Sequence, residues 1–367
     1  MRDPDRTTLS VPSERAGLRA DAFFSLAFPF LSRTRIRQKI QQGEAVLNGR
    51  RFATSARVRE GDEVTVTWRG PVEEEHPTEA PLVILHEDDW FMAVDKPAGQ
   101  PSHPAGAVQS GTVIQQVRRH LRPATEARIA AGDRSAWPTL AGRLDRFTSG
   151  IVLVAKTAPA LAAMQRLRAE GLVERRYLAV VEGRLKDDAG IIDAPIGPSV
   201  SGPALQEPPA GGSAAAQSGT TVGIRMCVRP DGLPSRTEYR VLERGGDHTV
   251  LHAVIRSGRQ HQIRVHFASI GHPVVGDLIY RDEALFLRYW QNGCRLDESL
   301  PPRHLLHAEG IAFDHPFTGG RLAIEAPVPE DFIEMLAARG PLSRGPAFLG
   351  PRSRGPTSRG SAPTSLS

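Results

Sequence analysis

The chain is poor in cysteine. Cys227 and Cys294 are the only two in 367 residues, too few for a disulfide framework, so the expectation is reduced thiols in a cytoplasmic protein. Long apolar runs are missing too. No stretch approaches the ~20 residues that cross a bilayer, and the opening Met-Arg-Asp-Pro-Asp-Arg lacks the apolar core of a secretory signal. No membrane partner is expected. Three sequence signatures are also absent: the phosphate-cradling Gly-x-x-x-x-Gly-Lys-Ser/Thr, the dinucleotide-binding glycine fingerprint and the Gly-x-Ser-x-Gly elbow. The histidines form no convincing ligand set. His261 and His266 do not align on one helical face, and no acid or cysteine completes the pair His304 and His307, so no metal is expected.

What is present is ordinary in amount and uneven in place. Hydrophobic content of 40% and charged content of 24% suit a soluble globular protein of two or three domains. The net charge of +5 is concentrated at the ends. The first 70 residues hold 13 Lys or Arg against 8 Asp or Glu. The tail 341–367 holds Arg344, Arg352, Arg354 and Arg359 and no acid. Basic ends around a slightly acidic middle suit a small module and a tail that grip a polyanion.

Local signals divide the chain. Residues 1–12 are polar and expected to be loose. Residues 13–69 read as a compact module, with helices at 20–27 and 33–40, Ser32 as N-cap of the second and Gly43 as its stop. A strand at 45–47 runs into the hairpin signal Asn48-Gly49, and Gly61-Asp62 turns into an alternating strand at 63–68. Residues 70–81, acidic and proline-rich, read as an extended linker. The main domain spans 82–340, with strands at 82–86, 91–94, 151–155, 177–181, 237–242 and 249–255 and helices at 111–121, 158–170 and 260–270. Its Gly/Ser/Ala/Pro-rich stretch 199–221 cannot bury enough apolar surface to order itself and reads as a flexible insertion. The tail 341–367 repeats Ser-Arg-Gly among prolines and reads as disordered.

The most informative stretch is Gly142-Arg143-Leu144-Asp145-Arg146-Phe147-Thr148-Ser149-Gly150, followed by the apolar run Ile-Val-Leu-Val-Ala. It places a carboxylate between two arginines in a loop before a buried strand. Neighbouring guanidinium groups favour its ionised form. On these residues alone two readings stand: a nucleophile facing a polyanionic substrate, and a structural ion pair, which is the commoner case. Other segments keep company with it. Asp95-Lys96-Pro97-Ala98-Gly99 is a turn-rich loop after a strand. Arg175-Arg176-Tyr177 opens a strand in which Tyr177 could be plain core. In Gly258-Arg259-Gln260-His261-Gln262-Ile263-Arg264-Val265-His266 a glycine leads into a helix, and Gly271-His272-Pro273-Val274-Val275-Gly276-Asp277 follows. In the N-terminal module, Arg33, Arg35, Arg37 and Lys39 share a short helix and Arg50 and Arg51 flank the Asn-Gly turn, a pattern that suits RNA phosphates or a solvated charged face.

Taken in order, these motifs resemble the RluA-type family of RNA pseudouridine synthases. Gly142 to Lys156, Gly258 to Asp277, Leu306-His307-Ala308, His315-Pro316-Phe317-Thr318-Gly319 and Ala326-Pro327-Val328-Pro329 carry the resemblance over about 82–336. Residues 13–69 resemble the small S-four-like RNA-binding domain, through Ser32-Arg33, Ile40 to Gly49 and Val58 to Asp62. The resemblance implies an α+β fold: a catalytic domain on a mostly antiparallel mixed sheet with flanking helices, plus a small α/β RNA-binding domain. It implies cofactor-free isomerisation of uridine in RNA. Asp145 would be the catalytic aspartate, Tyr177 would stack on the uracil and assist proton removal from carbon 5, Arg264 would pair with Asp145, and Arg143 would fill the gap left by the flipped nucleotide or hold its phosphate. Arg146, Thr148, Arg259, His261 and Gln262 would bind substrate. Arg33, Arg35, Arg37, Lys39, Arg50 and Arg51 would bind RNA. The implied partner is ribosomal RNA of the large subunit, acted on by a monomer. Transfer RNA, or a non-catalytic role in RNA binding or ribosome assembly, is the alternative. Two positions depart from the family pattern, Gly142 in place of the usual His and Phe147 in place of an acid or small polar residue, and substrate choice is expected to depend on them.

Overall fold

The computed structural model describes residues 6–27, 33–67, 81–104, 111–131, 133, 135–199, 225–291 and 296–340. The expected Ser32 cap, nearly all of the linker 70–81 and of the insertion 199–221, and the tail 341–367 lie outside the described residues. The chain divides into two compact units, Met1–His76 and Pro77–Ser367.

The first unit contains β1 (Arg6–Ser10), a single 3-10 turn (Ser13–Arg15), α1 (Ala20–Ala27), α2 (Arg33–Gln42), β2 (Ala45–Leu47) and β3 (Glu63–Thr67). The three strands form an antiparallel sheet in the order β1-β3-β2. Its core is Phe23 and Phe24 of α1, Ile36 and Ile40 of α2, and Ala45, Val58, Val64 and Val66. Residues 1–12 are therefore not loose throughout. Arg6–Ser10 pairs along the whole of β3, and its Leu9 packs against the core. The Asn48-Gly49 turn has φ of 50° and 72°, the left-handed pair that a two-residue hairpin turn needs, and Leu47 and Arg50 exchange backbone hydrogen bonds of 2.9 Å across it. The ladder partner of β2, however, is β3, many residues later. The Asn48 side chain explains how that partner is found: it donates to Asp62 Oδ1 at 2.8 Å and accepts from the Glu63 N–H at 2.7 Å.

The second unit is built on a ten-stranded sheet. Its strands are β4 (Val83–Glu87), β5 (Phe91–Lys96), β6 (Ala136–Leu140), β7 (Ser149–Thr157), β8 (Glu174–Glu182), β9 (Ala189–Asp193), β12 (Arg236–Arg244), β13 (His248–Ile255), β14 (Leu306–Asp314) and β15 (Arg321–Glu325). A separate short ladder joins β10 (Ile196–Pro198) to β11 (Met226–Val228). The main order is β4-β5-β7-β14-β8-β13-β12-β9, with β6 on β7 and β15 on β14. Among the described residues only the β7–β14 pair is parallel. The mixed, mostly antiparallel sheet implied by the motif resemblance is what the chain forms.

The strand sequences show why both faces are covered. In β5, Phe91 and Ala93 pack with Leu153, Ala155 and Met164 of α4 (Ala158–Ala169). The alternate residues Met92 and Val94 pack with Val113, Ile114, Val117 and Leu121 of α3 (Val113–Ala130). In β8, Tyr177, Ala179 and Val181 meet Ile263 and Phe267 of α5 (Gln262–Ser269), while Leu178 and Val180 meet Phe332 and Leu336 of α7 (Glu330–Ala337). A strand buried on both faces reads as a continuous apolar run, which is why β5, β7 and β8 were the legible strands. The remaining helix is α6 (Glu283–Gln291). Among the described residues, no helix is long and apolar enough to cross a membrane.

Several boundaries move. The helix expected at 111–121 runs from Val113 to Ala130 and carries Pro123 inside it, because its apolar face on β5 and β7 outweighs one lost backbone bond. The helix expected at 260–270 starts at Gln262, since His261 has a left-handed φ of 57° and stands as its N-cap. The strands β6, β9 to β11, β14 and β15 and the helices α6 and α7 have no expected counterpart. β14, Leu-His-Ala-Glu-Gly-Ile-Ala-Phe-Asp, breaks its apolar pattern with charge and glycine and is a strand because β7, β8 and β15 surround it.

Gly150 opens the parallel pair. Its φ is 105°, and a β-carbon there would lie 2.2 Å from the Ala308 carbonyl oxygen. Only glycine fits. Gly150→Ala is expected to lower the unfolding free energy by at least about 2 kcal/mol, measured by chemical denaturation. An unchanged midpoint and slope would contradict the close approach of β7 and β14.

Candidate active site

Asp145 lies in the loop between β6 and β7. The loop is held from three sides. Its own turn closes with the Thr148 N–H donating to the Asp145 carbonyl at 3.1 Å. The 96–102 segment clasps it: Ser102 Oγ donates to the Leu144 carbonyl at 2.8 Å, and the Gly99 N–H donates to the Arg146 carbonyl at 2.9 Å. Lys96, fully buried, reaches across. Its Nζ donates to the carbonyls of Pro97, Gln100 and Arg146 at 2.8, 2.9 and 2.9 Å. Burial pulls its pKa down to about 7, while three carbonyl acceptors match the three protons of the ammonium form. On the third side, consecutive hydroxyls each meet a buried histidine. Thr148 Oγ1 is 2.7 Å from His304 Nε2, and Ser149 Oγ is 2.8 Å from His307 Nδ1.

The carboxylate meets a guanidinium. Arg264 Nη1 donates to Asp145 Oδ2 at 2.8 Å. The rest of the Arg264 fork is taken by Asp277, with Nε to Oδ2 at 2.6 Å and Nη2 to Oδ1 at 2.8 Å. Asp277 Oδ1 also accepts the N–H groups of Ile279 and Tyr280 at 2.8 and 3.1 Å. The Tyr280 ring covers the guanidinium, its centroid 5.1 Å from Cζ. Arg264 and Asp277 are thus a buried, bidentate pair, and one further guanidinium proton is aimed at Asp145. Burial opposes ionisation of Asp145, yet positive charge around it holds its carboxyl well below the usual carboxylate range. At neutral pH that charge is Arg264, because burial depresses His261 to about 4 and His304 to about 3.

His261 completes the ring of contacts. Its Nδ1 is 2.8 Å from the Tyr280 hydroxyl, and that hydroxyl accepts the Met226 N–H at 2.9 Å. The phenol is pushed well above its ordinary value, chiefly by burial, so its one proton is directed to His261 Nδ1. The neutral imidazole then carries its proton on Nε2, which faces Asp145 Oδ1 at 3.8 Å. A cavity of about 140 Å³ adjoins these groups, lined by Asp145, Arg146, His261, Arg264, Tyr289 and His304.

Tyr177 stands on β8 across the loop, 6% exposed, and lines a second small cavity with Gly142, Arg143 and Leu144. Burial, with a contribution from Asp145, raises its phenol above the ordinary value. Arg143 is exposed at the mouth, with Nη1 3.0 Å from His103 Nε2. Asp145, Arg264, His261, Tyr177 and Arg143 therefore converge on one loop.

The other expected site residues differ in their access to solvent. Thr148 is 2% exposed and Gln262 is 3% exposed. The Thr148 hydroxyl is engaged with His304. Gln262 Nε2 donates to the Arg236 carbonyl at 2.9 Å, and its Oε1 accepts from Ser257 Oγ and the Arg259 N–H. Both hold the site together rather than reach a substrate. Arg146 turns back to the clasp, Nε donating to the Gly99 carbonyl at 2.9 Å. Arg259 is exposed and makes one long bond, to the Pro234 carbonyl at 3.4 Å. Phe147 is buried with Leu278, Tyr289 and Leu300, and it also forms part of the wall of the cavity beside Asp145.

In the first unit, Lys39 is 7% exposed and donates to Glu44 Oε2 at 2.8 Å. That corrects its place among the expected RNA-binding residues, because an ammonium spent inside the fold has none left for a phosphate. Arg37 is exposed and lies 3.3 Å from Asp21. Arg50 and Arg51 are exposed beside their turn. The side chains of Arg33 and Arg35 lie outside the described residues.

Sequence reasoning missed Asp277, Tyr280, Lys96 and His304 as members of the site. The one local signal was Gly276. Its φ is 76°, and a β-carbon there would stand 2.3 Å from the Arg303 carbonyl oxygen, so the Gly-Asp step is what lets Asp277 turn inward.

The residues 90–269 match the family model described as RNA pseudouridylate synthase. The chain is 34% identical over 332 residues to the ribosomal large subunit pseudouridine synthase D of Nitrosomonas europaea, spanning 90% of this chain and 87% of that protein. It is 34% identical over 330 residues to the protein of the same name from Xanthomonas campestris, spanning 89% and 91%. An uncharacterised RNA pseudouridine synthase of Bacillus subtilis is 32% identical over 331 residues, spanning 89% and 96%.

The buried groups set an acid limit to stability. Asp277 titrates in the fold at about 2, against an ordinary 3.8: burial works against its ionised form, but Arg264 outweighs it. Its contribution is complete above its ordinary pKa and is lost as pH falls towards 2. His261 and His304 act earlier. With folded values near 4 and 3 against 6.5, the unfolded chain takes up protons first, so stability declines as pH drops below 6.5. Denaturation curves from pH 7 to 2.5 are expected to show this two-stage loss, and Asp277→Asn is expected to diminish the lower stage, to which Asp145 and Glu309 also contribute. A flat profile above pH 4 would refute the neutral, buried state of the histidines.

Proposed function

The chain belongs to the RNA pseudouridylate synthase family and is an RNA pseudouridine synthase, and from that premise we propose that it modifies large-subunit ribosomal RNA with Asp145 as its catalytic carboxylate. The ribosomal target is supported by the names of the relatives from Nitrosomonas europaea and Xanthomonas campestris. The carboxylate assignment is supported by one observation above the rest: Arg264, locked by Asp277, offers its remaining guanidinium proton to Asp145 at 2.8 Å.

The roles follow from the geometry. The target uridine leaves its stack to reach the loop, at a cost of a few kcal/mol that is least in irregular RNA. Asp145, ionised and oriented by Arg264, acts at the anomeric carbon as the bond to uracil N1 breaks, the electron pair leaving with N1. The base turns and bonds to the anomeric carbon through C5. C5 then loses its proton and N1 regains one, so the product is an isomer and no cofactor is consumed. Tyr177 stacks on the base. Its phenol, raised by burial, remains protonated at neutral pH and suits stacking and proton relay better than proton abstraction. Arg143, exposed beside the cavity, takes the place of the flipped nucleotide or holds its phosphate. Arg259 contributes positive charge at the rim. In the first unit Arg37, Arg50 and Arg51 present exposed guanidinium groups to RNA phosphates.

Asp145→Asn is expected to reduce pseudouridine formation on ribosomal RNA by several orders of magnitude while changing RNA affinity less than threefold, read by product assay and filter binding. Pseudouridine formation at the unmodified rate would remove Asp145 from the chemistry. Pseudouridine mapping of total RNA with and without the gene is expected to show the loss of sites in large-subunit ribosomal RNA. Loss confined to transfer RNA would replace the target.

A further inference from the structure

The Tyr177 cavity has cations that the reading above leaves unused. Arg168, in the last turn of α4, and Arg175, at the start of β8, both line it. Arg168 Nη1 donates to the Ala141 carbonyl at 2.5 Å and lies 3.5 Å from where a β-carbon on Gly142 would stand. Its guanidinium therefore occupies the space that the missing side chain at 142 leaves open. Arg175 is stranger. Its guanidinium is hydrogen-bonded to the Tyr177 phenol, yet its Nε and Nη2 are buried with no hydrogen-bond partner among the described residues. Its guanidinium lies against the Gly258 backbone, where a β-carbon would stand 2.5 Å from Nη1, and so beside Arg259. Burial and the neighbouring Arg175 and Arg259 lower the Arg168 guanidinium below its ordinary value.

Nearby acids do not compensate these charges. Glu174 is 3.7 Å from Arg256, and Glu309 pairs with Arg176 at 2.8 Å. Among the described residues no carboxylate is in ion-pair distance of Arg168, Arg175 or Arg259. Guanidinium N–H groups buried without a partner are costly to a fold, and they persist where a ligand brings an acceptor and the opposite charge. Arg is the side chain suited to that ligand when it is a phosphate, because its planar fork donates two parallel hydrogen bonds.

We propose that Arg168 and Arg175, with Arg259 at the rim, form a phosphate subsite beside Tyr177 that grips the RNA strand next to the flipped uridine. The subsite rests on the reading of Asp145 and Tyr177 as the uridine site. It explains how this chain does without a side chain at Gly142: α4 supplies the cation from the other side of the cavity. The groups that would bind the phosphate are thus drawn from α4, β8 and the loop before α5, the same elements that position Tyr177 and Arg264, so that gripping the strand and presenting the base are coupled.

The test uses the full chain and an unmodified transcript of large-subunit ribosomal RNA. Arg175→Met removes two unpartnered buried N–H groups at the loss of one contact with the Tyr177 phenol, so the melting temperature is expected to hold or rise. RNA affinity at low salt is expected to fall roughly tenfold or more, and the slope of log affinity against log salt to become shallower by about 0.7. Arg175→Lys, which keeps a point charge, is expected to retain the slope. Arg168→Met is expected to lose slope in the same way. An Arg175→Met protein that melts earlier and keeps the wild-type salt slope would overturn the subsite and leave Arg175 a structural residue. Failure of the wild-type protein to form pseudouridine on the transcript would sink the functional reading instead, and the salt slopes would still decide whether the arginines bind phosphate.

Discussion

A single buried guanidinium organises the active site. Arg264 is shared between two carboxylates, Asp277 at full burial and Asp145 at the cavity. The first bond is bidentate and further braced by two backbone N–H groups. Its cost in lost hydration is offset by that dense set of partners. The second bond is then directional at no further ordering cost, because the fork is already fixed. An acid in a low-dielectric site would otherwise tend towards its neutral form. Arg264 reverses that tendency, so Asp145 is an anion before any substrate arrives.

The loop that carries Asp145 depends on the same economy of partners. Lys96, Ser102 and Gly99 hold its backbone, while Thr148 and Ser149 anchor its exit to His304 and His307. Gly150 and Gly276 permit the two close approaches on which the arrangement rests, one to β14 and one to the Arg303 carbonyl. Thr148 and Gln262, adjacent in sequence to reactive groups, are therefore supports. Neighbourhood in the motif is not the same as access to the cavity.

Much of this was legible. The apolar runs at 91–94, 151–155 and 177–181 announced β5, β7 and β8, and α4 forms where a helix was expected at 158–170. Asp145 between two arginines marked an ionised carboxylate. The choice between nucleophile and ion pair could not be made locally, and the structure shows why the choice was ill-posed: Asp145 is in an ion pair, and the pair is with a distant arginine rather than with its neighbours. Arg143 points to His103, and Arg146 folds back on Gly99. Lys39 misled because a basic residue on an amphipathic helix can belong to either face, and here it belongs to the inner one.

By itself the sequence determined several apolar strands and the motif set that places the chain among RNA pseudouridine synthases, and the α+β class followed from that resemblance. These are properties of local pattern and order. Only the tertiary structure decided which acid holds Arg264, which nitrogen of His261 carries its proton, and which buried guanidinium N–H groups remain without a partner. Each of those is settled by groups far apart in the chain, Asp145 and Arg264, Met226 and Tyr280, Gly142 and Arg168. Their interactions need a distance of about 3 Å, and no local pattern encodes that distance.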